Sequence, residues 1–368
     1  MQVLVTGASG FVGRNLCLHL SELEHFTVIP ITRQSSSKDL REALTRADFI
    51  VHLAGVNRPQ DPAEFDNGNT GFTQQLCETL AQVGRSMPIT YTSSTQAELD
   101  NPYGQSKRAA EDVLLAYQQQ TSAAVYIYRL PNVFGKWCKP NYNSAVATFC
   151  HNIARDLPIT VNNSAAGLNV VYVDDVIHHI VELLQQKPVA PGFQSISSIY
   201  QTTVGEVVDI LRSFRASRDT LITDRVGTGF IRALYSTYVS YLPTSAFSYK
   251  VPKYGDDRGV FVEMLKTPDA GQFSFFTAHP GITRGDHYHH TKTEKFLVIK
   301  GHAHFGFRNV LTGESYELCT NGADPEIVET VPGWTHNITN IGEDEMIVML
   351  WANEIFDRNQ PDTIAQKV

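Results

Sequence analysis

Apolar positions follow two different rhythms along this chain. In the first, short apolar runs alternate with longer helical stretches. Gln2-Val3-Leu4-Val5-Thr6 reads as a buried parallel strand, followed at once by the glycine turn Gly7–Gly13 and a helical stretch from Arg14 to Leu23. Thr27 to Thr32 and Phe49 to Leu53 repeat the strand signal, the latter running into the small-residue turn Ala54-Gly55. Another strand ends in Thr92-Ser93-Ser94, with a helix expected from near Pro102. Beyond about residue 250 the rhythm changes. Lys295–Lys300, His302–Arg308, Ser315–Leu318 and Met346–Trp351 are short and β-rich, with Gly, Asn and Asp between them. The pattern predicts a doubly wound parallel α/β sheet followed by an all-β region. A connection is expected around Leu234–Leu242, where Pro243 and Pro252 follow closely, giving domains 1–243 and 244–368.

Composition narrows the functional classes. At 368 residues with 42% apolar content, the chain can bury two cores. A net charge of −8 argues against generic nucleic-acid or anionic-membrane binding. The five cysteines are scattered and lack a C-x2-C pair, which suits a reducing cytosol. Met1–Thr6 has no basic segment or long apolar core of a signal peptide, and no apolar run approaches the ~20 residues of a membrane span. A soluble cytoplasmic protein without membrane insertion is expected.

The first glycine turn carries the first candidate chemistry. Gly7, Ser9, Gly10, Phe11, Val12 and Gly13 lie between a strand and a helix, at spacing G-x2-G-x2-G. Such a turn lets backbone approach a pyrophosphate at a helix N-terminus. At the end of the second strand, Arg33 stands where a carboxylate would receive the ribose of NAD; an arginine suits a 2′-phosphate and therefore NADPH. Leu53, Ala54 and Gly55 form the turn where the ribose and nicotinamide side are expected. Tyr103 and Lys107 are four apart and share a helix face. An ammonium and an oxidised nicotinamide nearby would lower the phenol's pKa, and a serine hydroxyl would hold a substrate carbonyl. Lys136 and Lys139, with two aromatics and Asn141, suit a diphosphate and a uracil or sugar face.

This part closely resembles the extended short-chain dehydrogenase/reductase family, a Rossmann-type fold, over roughly residues 1 to 243. The resemblance implies Ser94, Tyr103 and Lys107 as the catalytic triad, with Asn69 supporting the lysine through water. It also implies that Arg129 to Gly135, with Arg129 and Asn132, border cofactor and sugar nucleotide.

The second candidate site begins at Gly281. Gly281, His287, His289, Glu294 and Gly301 fit G-x5-H-x-H-x4-E-x6-G, and Pro332-Gly333-x2-His336-x3-Asn340 supplies a third imidazole. Residues two apart on a strand share a face, so His287 and His289 point together, and a turn can return Glu294 on the neighbouring strand. Three imidazoles and a carboxylate form a divalent-metal set with positions left open. The plain alternative is a His-rich surface hairpin without an ion. These motifs resemble the two signatures of the cupin superfamily, which implies a small β-barrel with a metal, Zn2+ being the expected ion, in its mouth. Asp256 to Glu263 resembles the opening segment of sugar-nucleotide epimerases built on the same barrel, which generally lack metal and have a lysine at the place of Glu294.

The whole chain resembles bifunctional capsular-polysaccharide enzymes that join a nucleotide-sugar reductase to a cupin. That implies a UDP-2-acetamido-2,6-dideoxy-4-hexulose substrate, epimerised at carbon 3 by the cupin. Reduction at carbon 4 with NADPH would then give the UDP-2-acetamido-2,6-dideoxy-L-talose, on the route to UDP-N-acetyl-L-fucosamine, in a homodimer. The base of the epimerisation stays open among His287, Tyr288 and His290. A reductase with a non-catalytic cupin, a 4,6-dehydratase or 4-epimerase, and a dinucleotide sensor remain as alternatives.

Overall fold

The structure, a computed structural model, describes residues 1–368 apart from 62, 186–188, 257–258, 263–264, 266–270 and 355–358. By packing, the chain forms two compact units. One comprises Met1–Phe134, Tyr142–Ser144 and Leu168–Gln201; the other comprises Gly135–Asn141, Ala145–Gly167 and Thr202–Val368.

The first unit is built on β1 (Gln2–Thr6), β2 (Thr27–Ile31), β3 (Phe49–His52), β4 (Ile89–Ser94) and β5 (Val125–Leu130). A small sheet uses β6 (Asn132–Phe134), β7 (Gly167–Tyr172) and β9 (Ile199–Thr203), while β8 (Gly192–Gln194) extends the main one. The main sheet is parallel, ordered β2-β1-β3-β4-β5-β8. Its strands are apolar because helices cover them: Leu4, Ile50, Ile89 and Ile127 are fully buried. Leu40 of α2 (Ser37–Arg46), Leu76 of α4 (Phe72–Gln82) and Leu114 of α5 (Pro102–Thr121) close over that core. The sheet is thus the doubly wound, Rossmann-type sheet expected. Its order reverses at β1, with β2 on one side and β3 on the other, which opens a crevice at the strands' carboxyl ends.

Two boundaries moved. Helix α1 (Phe11–Ser21) begins three residues before the expected Arg14, because Gly10 is extended and serves as its N-cap. Leu234–Leu242, read as a connection, falls largely within helix α9 (Gly229–Ser240). Tyr235 and Tyr238 are three apart and both pack on Phe214 of α8 (Val204–Thr220), so the apolar spacing there is helical. Those helices, with α6 (Ala145–Ile153), belong to the second unit.

The rest of the second unit consists of two antiparallel five-stranded sheets. One is ordered β10 (Ser248–Lys250), β18 (Glu326–Glu329), β15 (Glu294–Lys300), β20 (Met346–Ala352), β13 (Gln272–Ala278). The other is ordered β17 (Ser315–Asn321), β16 (His302–Asn309), β19 (Trp334–Asn340), β14 (Thr283–Tyr288), β21 (Ile364–Ala365). Phe296 of the first sheet meets Phe305 of the second, with ring centroids 5.9 Å apart, and Phe247 stands edge-on to Trp334 at 5.0 Å. This is the all-β cupin-type barrel expected. Of the segment read as epimerase-like, Gly259–Val262 is a strand paired with Lys253–Asp256, whereas residues 257, 258 and 263 lie outside the described residues. Among the described residues, no helix is long and apolar enough to cross a membrane.

Candidate functional site

The glycine turn after β1 packs against the turn after β3. Gly7 has φ +66°, and a Cβ there would lie 2.8 Å from the Ala54 amide nitrogen. A Cβ on Gly13 would lie 2.2 Å from the Gly7 carbonyl oxygen. The Thr6 hydroxyl accepts the Leu53 and Ala54 amides at 3.2 Å each, which fixes the second turn. Between them opens a cavity of about 790 Å³, lined by Gly7, Ser9, Gly10, Leu53, Ala54 and Gly55 and, at the end of β2, by Arg33 and Ser35–Ser37. Phe11 and Val12 form the first turn of α1. Bare backbone at a helix N-terminus, with a guanidinium and hydroxyls at the far end, fits a nicotinamide dinucleotide.

Ser94, Tyr103 and Lys107 come together beside this cavity's β3 turn. Asn101 caps α5 through the Gly104 amide at 2.8 Å, and Pro102 occupies its first turn. That start places Tyr103 and Lys107 on one face. Ser94 lies close enough to the Tyr103 phenol to favour its ionised form. Ser93, one residue back on β4, faces the other way and donates to Glu111. Burial pushes the Tyr103 phenol up, against the smaller opposing effect of Ser94. Lys107 donates to the Tyr91 hydroxyl at 3.1 Å and to the Thr92 carbonyl at 2.9 Å. Burial brings its pKa down to about 8, with Glu111 acting in the opposite direction. Asn69 is buried and holds the Gly55–Val56 turn directly. It accepts the Val56 amide at 2.8 Å and donates to the Val56 carbonyl at 3.0 Å and to Ser106 at 2.9 Å.

Arg129 makes a two-pronged ion pair with buried Glu111, at 3.0 and 2.6 Å, and reaches Glu98 at 3.1 Å. Its described partners are thus protein carboxylates and the Phe193 ring, whose centre lies 4.5 Å from the guanidinium carbon. Sequence reasoning missed Glu111, although Tyr103, Lys107 and Glu111 repeat at four-residue spacing. Of the proposed substrate residues, Asn132 is exposed in the first unit and donates to the Asn169 carbonyl at 3.4 Å. Lys136, Lys139 and Asn141 belong to the second unit. Lys136 is buried, its ammonium 5.3 Å from the centre of the Trp137 ring, rather than on an exposed loop.

In the barrel, His287, His289, Glu294 and His336 converge, with one ligand atom of each within 4.8 Å of all the others. Glu294 arrives from β15, in the sheet opposite β14 and β19, and not from a strand neighbouring His287 as expected. The ligands therefore face each other across the barrel interior. His289 Nδ1 donates to the Asp362 carbonyl, and its Nε2 lies 3.2 Å from Glu294 Oε2. His336 Nε2 is buried without a hydrogen-bond partner, 3.6 Å from the same oxygen. Burial and the neighbouring imidazoles push His287 down to about 4, so it is neutral near pH 7. Burial would raise the Glu294 carboxyl, but His289, His336 and Lys292 hold it well below the usual carboxylate range. A neutral His287, an anionic carboxylate and the orphaned buried nitrogen of His336 fit a divalent ion. Lys292, also missed from sequence, is buried with its ammonium 2.7 Å from Glu294 Oε1.

A parallel sheet with a glycine turn at its switch point and a Ser–Tyr–Lys group beside it defines a class. The chain belongs to the NAD dependent epimerase/dehydratase family, which matches residues 3–194. Residues 254–364 match the polysaccharide biosynthesis C-terminal domain. Over 100% of its length the chain is 61% identical to a UDP-2-acetamido-2,6-beta-L-arabino-hexul-4-ose reductase of Pseudomonas aeruginosa, covering 99% of that protein. It also matches the crystal structure of the capsular polysaccharide assembling protein CapF from Staphylococcus aureus, with TM-score 0.70, 44% identity and 100% of both chains covered. A UDP-glucuronic acid 4-epimerase from Bacillus cereus, at 20% identity, 58% of this chain, 83% of that chain and TM-score 0.53, shares the fold of the first part.

Proposed function

We propose that the chain is a bifunctional nucleotide-sugar enzyme of polysaccharide biosynthesis. Residues 1–243 form an NADPH-dependent reductase and residues 244–368 a metal-dependent epimerase. The substrate is a UDP-2-acetamido-2,6-dideoxy-4-hexulose, epimerised at carbon 3 and then reduced at carbon 4 to the UDP-L-talose derivative, on the way to UDP-N-acetyl-L-fucosamine. The full-length likeness to the Pseudomonas aeruginosa reductase supports the substrate class. One observation carries the two-site reading: a single chain holds both the Ser94–Tyr103–Lys107 group and the four converging ligands of the barrel.

When bound, the nicotinamide would supply the hydride, held by Gly7–Gly13, Arg33 and Leu53–Gly55, and a zinc ion on His287, His289, Glu294 and His336 would supply Lewis acidity. Tyr103 is an acid in the reducing direction, and its raised pKa keeps it protonated at neutral pH. Its proton passes to the carbonyl oxygen at carbon 4 as the alcohol forms, while the Ser94 hydroxyl holds that oxygen. Lys107, still an ammonium near pH 7, stabilises the phenolate left behind. In the barrel, a base removes the carbon 3 proton beside the ketone, and a proton returns on the opposite face. His290 and Tyr288 lie at the end of the ligand strand and are its candidates. We further assign the enzyme to the cytoplasm, as a homodimer.

Mass spectrometry of the product made in deuterated water, with and without NADPH, tests both halves. The expected results are deuterium at carbon 3 without NADPH and an added hydrogen pair with it. A second reading, a reductase whose barrel is not catalytic, draws on the reductase-only name of the Pseudomonas aeruginosa relative. Reduction without solvent exchange at carbon 3 would favour it. Bound cofactor that never turns over would indicate a dehydratase or 4-epimerase instead.

A further inference from the structure

We propose that Asp362, in the C-terminal segment, is a positioning residue of the barrel's metal centre. The inference rests on the metal reading above and extends it to a part of the chain that neither cupin-like motif includes.

The segment is threaded into the site. Strand β21 pairs with the ligand strand β14, placing Ala365 opposite His287 and Ile364 opposite Tyr288. The Gln366 amide donates to the Asp286 carbonyl at 2.8 Å. This pairing delivers Asp362 to the turn that joins His289 to Glu294. There its carboxylate accepts three consecutive amides: His290 on Oδ1 at 2.8 Å, then Thr291 and Lys292 on Oδ2 at 2.6 and 2.7 Å. The Thr291 hydroxyl adds a fourth bond to Oδ2 at 2.9 Å. The same residue's main-chain carbonyl receives His289 Nδ1–H. One residue thereby sets the tautomer and ring orientation of a ligand and anchors the turn leading to the next ligand.

Outer partners of this kind hold a ligand's lone pair on the ion, and their loss typically costs ~10–100-fold in metal affinity. An isosteric amide cannot replace the carboxylate. If its oxygen kept the Thr291 and Lys292 amides, its NH2 would face the His290 N–H, donor against donor.

The test uses the full-length protein and its Asp362→Asn and Thr291→Val forms, each stripped of metal. Zinc affinity is measured by competition with a chelating dye, and the visible spectrum is recorded after loading with cobalt(II). Asp362→Asn is expected to weaken zinc ~10–100-fold and to alter the cobalt spectrum. Thr291→Val, which removes one of the four bonds, is expected to weaken zinc a few-fold, and it decides the matter if the Asn form does not fold. A native protein that binds zinc, beside foldable variants with unchanged affinity and spectrum, would overturn the role of Asp362 alone. A native protein that takes up neither zinc nor cobalt would overturn the metal reading and this inference together. A loss of thermal stability with metal affinity retained would make Asp362 merely structural and also overturn it.

Discussion

The two halves of the chain build their sites in opposite ways. In the parallel unit, the dinucleotide cavity is mostly main chain: a glycine turn, a helix N-terminus and a second turn held by Thr6. The reactive groups beside it come from one strand end and two turns of one helix. In the barrel, the four candidate ligands come from the end of β14, from β15 and from β19, in two sheets, and the turn between His289 and Glu294 is held by a residue 72 positions from His290. Each part of the first site is a short local motif that parallel strand pairing gathers, whereas the candidate ligands of the second face one another from two sheets. The difference teaches where damage should fall: substitutions in the first unit should strike chemistry directly, whereas those in the barrel should act through retention of an ion.

The sharpest way to break this contrast is Tyr103→Phe. Removing the phenol hydroxyl should lower the rate of NADPH oxidation on the keto-sugar by ~10²–10⁴-fold, with the zinc-to-protein ratio unchanged. Near-native turnover in a stopped-assay spectrophotometric measurement would show that the proton comes from elsewhere. The complementary change is His336→Ala. His336 Nε2 is buried and unpartnered and Nδ1 makes only a long 3.5 Å bond to the Trp334 carbonyl, so its removal chiefly takes away the proposed ligand. Zinc affinity should fall by more than about 100-fold, and carbon 3 exchange should vanish while reduction of an already epimerised sugar continues. Elemental analysis showing a full complement of zinc would remove His336 from the ligand set.

What the sequence made legible follows the same division. The parallel sheet, the glycine turn and the Tyr103–Lys107 face were readable because helix and strand periods are local, and Gly13 has no room for a side chain in that turn. The four converging side chains were readable as a spacing, but not the sheet from which Glu294 comes, since pairing between distant strands leaves no local trace. Asp362 was invisible for the same reason. Leu234–Leu242 misled through its serines and the Pro243 that follows: Tyr235 and Tyr238 repeat at helical spacing and bury against Phe214.

A smaller effect sharpens the first half of the comparison. Arg33 lines the cavity at the end of β2, next to Ser35, Ser36 and Ser37. If it receives a 2′-phosphate, Arg33→Ser should lower the preference for NADPH over NADH, as a ratio of kcat/KM values, by ~10-fold, about 1.4 kcal/mol. The value with NADH should stay within about twofold, because the rest of the cradle is backbone. An unchanged ratio would place Arg33 among solvated strand ends.

The smallest effect is in pH dependence. Burial disfavours the charged form of Lys107 and brings its pKa from 10.5 to about 8, with Glu111 opposing the fall. The ammonium is present below that value and lost above it. The reductase kcat/KM should therefore fall as pH rises through about 8, by ~10-fold between pH 7 and 9, and not rise as it would if the tyrosine acted as a phenolate base. Glu111→Gln removes the carboxylate that favours the ammonium, so it should shift the falling limb to lower pH. Arg129, left without its buried partner, would make this variant less stable, and the profile is to be read at a temperature where it remains folded. A limb that stays near pH 8 in the Gln form would mean that a group other than Lys107 titrates there, and that the ammonium is insulated from Glu111 despite their shared helix face.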